Sequence, residues 1–155
     1  MKPNRVRTIA ICVFKKGGRI FVAEGYDPAK QETFYRPLGG RIEFGERGKE
    51  AIVRELREEI NAEVTNIKYL GTLENIFTFN EEPGHEIVLV YEGDFADKAM
   101  YEKSLVTAYG GDGDMFSAVW KPLSEFGDLT PLYPEGLSDL LAKGGYSVKR
   151  DTRKL

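Results

Sequence analysis

Residues 39–62 read GGRIEFGERGKEAIVRELREEINA, which joins a glycine pair to a predicted helix rich in carboxylates. Apolar residues recur there at the spacing of one helix face. They are Ile52, Val53, Leu56 and Ile60. If Leu56 points to the core and each residue turns the helix by about 100°, Glu59 falls roughly 60° away, Glu55 roughly 100° and Glu58 roughly 160°. The acidic residues therefore begin at the edge of the buried face.

Three carboxylates along one arc of a helix repel one another, and a divalent ion would relieve that repulsion. The oxygen ligands of Glu55, Glu58 and Glu59 suit Mg²⁺ or Mn²⁺. Spacing alone leaves a metal site and a solvated helix face equally open, because charged surface helices are common. Arg54 is spaced to reach Glu58 one turn on and Glu50 one turn back, so it is a candidate for orienting a carboxylate.

This segment resembles the signature of the Nudix hydrolase family at seven fixed positions. They are Gly40, Glu46, Arg54, Glu55, Leu56, Glu58 and Glu59. The family signature ends in a glycine and an aliphatic residue, where this chain has Asn61 and Ala62. Asn is the next best residue after glycine for the left-handed conformation past a helix end, so the departure does not touch the carboxylates. A looser resemblance extends from the first predicted hairpin to the region of Trp120.

The resemblance implies an α/β fold, a Nudix-like α/β/α sandwich around a mixed β-sheet in which the signature forms a loop, a helix and a second loop. It also implies hydrolysis of a diphosphate bond with Mg²⁺ or Mn²⁺, often in a nucleoside diphosphate linked to another moiety. Arg54 would hold Glu55, which resembles either a metal ligand or the base that takes a proton from water, and Glu46 would brace the loop. The full set of positions that resemble metal ligands is the Gly39 carbonyl, Glu55, Glu58 and Glu59.

The composition favours a single globular domain and argues against nucleic-acid and membrane partners. A chain of 155 residues with 41% hydrophobic content predicts one globular domain, over residues 1–146, followed by a basic and flexible tail at 147–155. A net charge of −3 gives no basic surface for nucleic acid, and no apolar run is long enough for a membrane span. Cys12 is the only cysteine of the sequence and lies in an apolar run, which predicts an inert buried thiol. A single cysteine is also typical of a protein in the reducing cytoplasm. The sequence is compatible with a monomer or a homodimer.

Turn residues and apolar runs predict two hairpins. The first has the turn KKGG at residues 15–18, and the second lies within NIFTFNEEPGHE, with Pro83 and Gly84 in its turn. Residues 24–33 predict a loop that borders a ligand, and the pair Gly39-Gly40 predicts a tight turn. No element is assigned to residues 97–114. The remaining predictions are strands at 6–14, 19–23, 34–38, 63–73 with a bend at Asn66, 87–91 and 116–120, a helical turn at 123–126 and a helix at 134–142.

Some Nudix proteins take a base or an extra ligand from outside the signature. The candidates here are Glu86, Asp112 and Asp114. Asp114 is slightly favoured because it precedes a strand on a flexible loop, although a solvated loop acid fits this position better than a catalytic one. His85 fits a backbone-bonded hairpin residue better than a catalytic one. Arg36 and Arg41 flank the glycines and could meet a phosphate or lie exposed. The aromatic residues considered for base stacking, most of them expected in the core, are Phe34, Tyr35, Phe77, Phe79 and Trp120.

Three functional classes stay open. The leading class is a metal-dependent diphosphate hydrolase that acts on a small-molecule nucleotide. The second is a module that binds a nucleotide without cleaving it, although such a module has no need of the complete carboxylate set. The third is an isoprenoid diphosphate isomerase, which would require a catalytic cysteine, and Cys12 in a predicted strand is a poor fit.

Overall fold

The computed structural model describes residues 4–146, in which nine strands and two α-helices alternate with short 3₁₀ turns. The strands are β1 (Arg7–Val13), β2 (Lys15–Lys16), β3 (Arg19–Asp27), β4 (Glu32–Arg36), β5 (Leu38–Arg41), β6 (Val64–Phe79), β7 (Glu82–Phe95), β8 (Val106–Tyr109) and β9 (Met115–Pro122). The helices are α1 (Gly48–Ile60) and α2 (Leu137–Lys143), and the 3₁₀ turns are Lys98–Glu102 and Leu123–Glu125.

The strands form two sheets. The first sheet has the order β5-β1-β7-β6, and it is mixed because β1 and β7 run parallel while its other pairs are antiparallel. The second sheet has the order β2-β3-β9-β8 with β4 also paired to β3, and it is antiparallel throughout. Nearly half of the described chain lies in these strands.

Strand β1 is buried on both faces, and its alternation separates two cores. Ala10, Cys12 and Phe14 pack in one cluster with the α1 residues Ile52 and Leu56. On the other face, the cluster around Ile9, Ile11 and Val13 includes Leu137 and Leu141 of α2. Since the two helices cover opposite faces of the same strand, the mixed α/β sandwich predicted from the signature is confirmed. Cys12 is fully buried, as predicted, and burial raises the pKa of its thiol.

Two predicted loops are strands in the structure. Residues 24–33 were expected to be irregular, but β3 continues to Asp27, β4 begins at Glu32, and only residues 28–31 turn. Gly39 and Gly40 lie within β5, paired with Ile11 and Ala10 of β1, so the prediction of a tight turn there is wrong. Both segments border an open cleft. Their polar or glycine-rich composition reflects that position, and the sequence carried no apolar alternation to indicate a strand.

The turn of the second hairpin lies three residues earlier than predicted. Asn80 and Glu81 take positive φ values of 48° and 69°, and Pro83 and Gly84 belong to β7. The helix predicted at 134–142 begins only at Leu137. The 3₁₀ turn at 123–125, the left-handed Asn61 after α1 and the bend at Asn66, which lies at a break in the pairing of β6 with β7, agree with the sequence predictions.

A buried aspartate joins the tips of the two hairpins. Asp27, 2% exposed, accepts hydrogen bonds from the backbone N–H groups of Ala29 and Lys30 in its own turn, at 3.0 and 3.3 Å. It accepts a third, at 3.1 Å, from the N–H of Asn80 in the turn between β6 and β7. The Lys30 ammonium also donates to the carbonyl of Thr78, at 2.8 Å. The β3–β4 and β6–β7 hairpins are therefore tied at one end.

The basic tail predicted at residues 147–155 lies outside the described residues. Within residues 4–146, neither α-helix combines the length and the apolar content that a bilayer crossing requires.

Candidate active site

Helix α1 presents three glutamates in a graded order of burial. The side chain of Glu58 is 57% exposed, that of Glu55 is 17% exposed, and Glu59 is buried. This order follows the angles predicted from Leu56, which is fully buried. The helix ends at Asn61, whose φ of 53° and ψ of 42° are left-handed and whose N–H donates to the Arg57 carbonyl at 3.0 Å. The last turn, which carries Glu58 and Glu59, is thereby closed by a backbone bond.

Arg54 connects the helix to the loop that precedes it. Its Nε and Nη2 donate to the two carboxylate oxygens of Glu46, at 2.8 and 2.9 Å, and Nη2 also donates to the carbonyl of Arg41, at 2.9 Å. Its Nη1 donates to Glu55 at 2.7 Å and to Glu58 at 3.4 Å. All five N–H groups of the guanidinium are therefore used. The predicted reach toward Glu50 is wrong, because Glu50 pairs with Arg47 in a capping box at the start of the helix.

Glu46 holds the loop in place from the other side. Its Oε1 accepts from the backbone N–H of Glu43 at 3.1 Å, so one carboxylate joins the loop backbone to Arg54. The hydrogen bond from Arg54 lowers the pKa of Glu46 to about 2. The residue stays ionised at neutral pH and keeps Arg54 aligned with Glu55.

Two glycines leave room for this arrangement. A Cβ at Gly40 would lie 2.4 Å from Cδ of Glu55, so the Glu55 carboxylate rests directly against the β5 backbone. A Cβ at Gly39 would lie 2.0 Å from the carbonyl oxygen of Ala10, and Gly39 has a φ of 156°. Strand β5 can therefore approach both β1 and α1 only with glycine at these positions.

A cleft of about 1010 Å³ opens beside the buried end of α1. It is lined at this end by Glu59, Gly39, Gly40, Arg36 and Arg41, and it runs between the two tied hairpins. Burial raises the pKa of Glu59, the hydrogen bond and charge of the adjacent Glu55 raise it further, and the charge of Arg36 opposes them. Glu59 lines the cleft and the carboxylate of Glu55 is hydrogen-bonded to it, so a cation would be held favourably beside this pair.

The donor set suits a hard divalent ion. Mg²⁺ is commonly bound through one or two carboxylates together with waters and substrate phosphates, and Glu55 and Glu59 supply the carboxylates, with the Gly39 backbone beside them. Within residues 4–146, no three acidic, histidine or cysteine side chains are gathered as a complete ligand set. The chemistry of the donors fits the metal that the signature implies.

Of the three acidic candidates outside the signature, the structure places one in the cleft and two elsewhere. Glu86 lines the cleft and is 4% exposed, with Oε2 at 3.3 Å from Nη2 of Arg7 and Oε1 at 3.4 Å from Nδ2 of Asn75. Asp112 and Asp114 are exposed on the turn between β8 and β9 and do not line the cleft. His85 alternates with Glu86 along β7, so its side chain points to the other face of the sheet.

The aromatic candidates divide between core and cleft. Tyr35 is buried in the α2-side cluster, and Trp120 packs against Phe21 and Tyr101. Phe34, Phe77 and Phe79 instead line the cleft, so three of the five face open space. Glu32, Asn75 and Tyr133 also line the cleft and were not identified from the sequence. They come from separate segments and match no motif, and only the folded sheets bring them together.

Comparisons with known proteins identify the domain. A family model described as NUDIX domain matches residues 3–142. The solved structures of a MutT Nudix hydrolase from Burkholderia pseudomallei and of the E. coli ORF135 protein are similar in fold. The first has a TM-score of 0.62 at 18% identity and covers 89% of this chain and 98% of its own. The second has a TM-score of 0.57 at 20% identity and covers 92% and 91%.

Curated relatives match over a shorter segment. NAD-capped RNA hydrolase NudC from Pseudomonas putida (strain W619) is 37% identical over 68 residues, which are 44% of this chain and 24% of the relative. The NudC of Pseudomonas aeruginosa (strain LESB58) is 32% identical over the same length. The aligned segment therefore spans about a quarter of these relatives. With the family model matching almost the whole described chain, and with the signature folded as a loop, a helix and a loop, this chain belongs to the Nudix family.

Proposed function

We propose that this protein is a divalent-metal-dependent hydrolase that cleaves a diphosphate bond, and that its substrate is a small nucleoside diphosphate linked to another moiety. The observation that carries the proposal is the position of Glu59. It is a buried carboxylate next to Glu55, and it forms one end of a cleft large enough for a nucleotide. The single buried cysteine supports a reducing, cytoplasmic location.

The residues that would hold Mg²⁺ or Mn²⁺ are Glu55 and Glu59, and the resemblance adds Glu58 and the carbonyl of Gly39 as further candidate ligands. A bound ion would neutralise the charge of the diphosphate oxygens and lower the pKa of a coordinated water. Glu55 has a second candidate role, as the base that takes a proton from the attacking water, since its carboxylate is fixed against Gly40 and by Arg54.

The remaining residues of the site would bind the phosphates or orient Glu55. Arg36 and Arg41 line the cleft beside Glu59, so their guanidinium groups are candidates for contacting the phosphates. Arg54 would act through Glu55, because its own N–H groups are all used by protein acceptors. Glu46 would act through Arg54 and the loop backbone. Arg54 reaches the site through Glu55, and Glu46 reaches it through Arg54, so we assign both to positioning.

A substrate panel tests the proposal. Nucleoside diphosphate derivatives, dinucleoside polyphosphates, NAD and an NAD-capped RNA are incubated with Mg²⁺ or Mn²⁺, and the phosphate-containing products are quantified. Cleavage of at least one small molecule is expected, with loss of activity in chelator and recovery when metal is restored. The NudC relatives are named for NAD-capped RNA, so faster cleavage of that RNA than of every small molecule would overturn the small-molecule assignment.

Matched variants test the role of Glu59. Glu59→Gln is expected to lower the rate by orders of magnitude, since the carboxylate is the proposed ligand. Glu63→Gln is the control, because Glu63 is an exposed acid just past the same helix and its side chain pairs with the exposed Arg57 at 3.0 Å. Full activity in Glu59→Gln would remove Glu59 from the ligand set. Nucleotide binding with no cleavage of any panel member would favour the binding module.

The isomerase alternative has little support from the structure. Cys12 of β1 is fully buried beneath α1, and burial keeps its thiol protonated. It therefore lacks both the exposure and the ionisation that a catalytic cysteine needs.

A further inference from the structure

The two walls of the cleft meet at the end away from Glu59. Asp27 of β3 accepts a hydrogen bond at 3.1 Å from the backbone N–H of Asn80, which lies in the turn between β6 and β7. The ammonium of Lys30, in the turn between β3 and β4, donates to the carbonyl of Thr78 at 2.8 Å. Asp27, Lys30 and Thr78 all line the cleft, so these two bonds join one wall to the other. They form a tie that closes this end of the cleft.

The closed end is held by buried and packed groups. The Oδ1 atom of Asp27 that accepts from Asn80 also accepts from two N–H groups of its own turn, at 3.0 and 3.3 Å, and the residue is buried. Separation of the hairpins would remove a hydrogen bond to a charged group, which costs more than the loss of a neutral one. Beside the tie, Phe34 and Phe79 meet edge-on with ring centroids 6.0 Å apart. Three contacts thus hold the walls together at this end.

The pairing of β3 with β4 gives the length of the cleft. Arg36 lines the cleft beside Glu59 and pairs with Ala23, whereas Glu32 pairs with Asp27 of the tie. These two pairs are four residues apart along the strands, which at about 3.4 Å per residue is about 14 Å. A sugar that carries one base fits within this length, and a chain of several nucleotides does not.

The opposite end of the cleft faces solvent. Arg41 lines the cleft there and is exposed, and Glu58, in the same helical turn as Glu59, is 57% exposed. A diphosphate held at Glu59 would therefore have one of its two groups between the hairpins and the other toward solvent.

We propose that the tie formed by Asp27 and Lys30 limits the size of one of the two groups that the diphosphate joins. The group between the hairpins must end within the length of one nucleoside, whereas the group on the solvent side has no such limit. The proposal rests on the proposed hydrolase function, because it concerns the groups on either side of the cleaved bond. A substrate with a nucleotide chain on one side of the diphosphate can enter, and a substrate with chains on both sides cannot.

Non-hydrolysable probes test this limit independently of catalysis. Each probe joins two adenosines through their 5′ oxygens by a methylenediphosphonate, in which a carbon replaces the bridging oxygen. The first probe has no extension, the second carries a short oligoadenylate on one 3′ oxygen, and the third carries it on both. Titration calorimetry with Mg²⁺ present measures the three affinities.

The wild-type protein is expected to bind the first and second probes within about threefold of each other, because the extension removes only one of two binding orientations. It should bind the third probe more weakly than the second by about 10-fold or more, because admitting a second chain breaks hydrogen bonds to a charged group.

Two variants weaken the tie. Asp27→Ala removes the acceptor of the Asn80 N–H. Lys30→Met removes the bond to Thr78 and keeps the buried carboxylate, and the Lys30 side chain is 44% exposed, so this variant should fold even if Asp27→Ala does not. Each is expected to lessen the disadvantage of the third probe relative to the second by at least about threefold. Faster hydrogen exchange at the Asn80 N–H in Asp27→Ala reports the loss of the tie.

Asp94→Ala is the matched control. Asp94 accepts a hydrogen bond at 2.9 Å from Nδ2 of Asn66, is exposed and does not line the cleft. Its replacement removes the same negative charge as Asp27→Ala but leaves the tie intact. The ratio of the affinities for the second and third probes should equal that of the wild type, which separates the size of the probes from their added charge.

The outcomes distinguish this proposal from the hydrolase proposal. Equal affinity of the wild type for the second and third probes would overturn the size limit, and so would equally weak binding of both relative to the first, because both ends would then be closed. A ratio unchanged in every tie variant that folds, or changed to the same extent in Asp94→Ala, would remove the tie as its cause. Binding of none of the probes would also overturn the proposal. The expected pattern in a protein that cleaves nothing in the substrate panel would support the size limit and refute only the hydrolase.

Discussion

Replacing Arg54 by lysine separates the shape of the guanidinium from its charge. Arg54 donates to Glu46 twice, to the Arg41 carbonyl, to Glu55 and, at longer range, to Glu58. A lysine ammonium keeps the charge but offers its donors from a single nitrogen atom. It can satisfy the Glu46 side or the Glu55 side of this arrangement, and it cannot serve both.

The size of the effect follows from these contacts. Lysine would lose about three of the hydrogen bonds, and at about 1 kcal/mol net for each, the free energy of unfolding should fall by about 2–3 kcal/mol. Arg57→Lys is the matched control on the same helix. The side chain of Arg57 forms an ion pair with Glu63 at 3.0 Å, and the two side chains are 56% and 66% exposed. Such a surface pair contributes little, so the control should lose less than about 0.5 kcal/mol.

Urea denaturation of both variants, followed at pH 7, measures the stability difference, and steady-state kinetics on the best substrate of the panel measures the functional one. If Glu55 is the proposed base, Arg54→Lys should lower kcat by at least about 10-fold, because a positioned base contributes about 10²–10⁴-fold and Glu55 would lose its bond to Arg54. KM should stay within about twofold, since Arg54 does not line the cleft. Equal destabilisation of the two variants, or an unchanged kcat in Arg54→Lys, would refute the positioning role.

Three further predictions concern neighbouring positions. Because the folded-state pKa of Glu46 is lowered to about 2, its contribution to stability should be complete above about pH 4.5 and should vanish as the pH falls toward 2. The stability gap between wild type and Glu46→Gln, measured by urea denaturation across that range, should therefore shrink on acidification, and a gap independent of pH would contradict this account. Gly40→Ala should displace the Glu55 carboxylate and lower kcat while the melting temperature changes by only a few degrees, because only a side-chain end must move; an unaltered kcat would show that Glu55 need not rest against β5. Asn61→Gly should be neutral or slightly stabilising, whereas Asn61→Val should cost about 1–2 kcal/mol by thermal denaturation, since a β-branched residue is strained at a φ of 53°; equal stability of the two variants would contradict it.

The parts of the site predicted correctly are those written into short stretches of sequence. The order of burial of Glu55, Glu58 and Glu59 follows from helical geometry around one apolar residue, and the left-handed Asn61 follows from the conformational preference of asparagine. The order of burial and the conformation of Asn61 both depend on residues within one or two helical turns. The hydrogen bond from Arg54 to Glu55 likewise joins residues that are adjacent in the sequence.

The parts predicted wrongly depend on distant segments. Gly39 looked like a turn residue because glycine permits one, but its role is to let β5 approach β1 closely, and that strand is 28 residues away in the chain. Pro83 and Gly84 predict the hairpin turn because both are strong turn formers, yet Gly84 lies within β7, where the ring of Phe77 packs against it. The walls of the cleft are set by strand pairing across the molecule, which no local pattern in a single sequence reveals.

The tie made by Asp27 has a consequence for how this domain can change its specificity. One buried carboxylate holds two turns, residues 28–31 and 80–81, at the outer end of the cleft. Neither turn belongs to α1 or to the loop before it. Lengthening or shortening either turn would alter the space for the group joined to the diphosphate while the glutamates of α1 stay where they are. Under the proposed function, the choice of substrate and the hydrolytic chemistry would therefore depend on separate parts of this chain, and selection or design could act on one without disturbing the other.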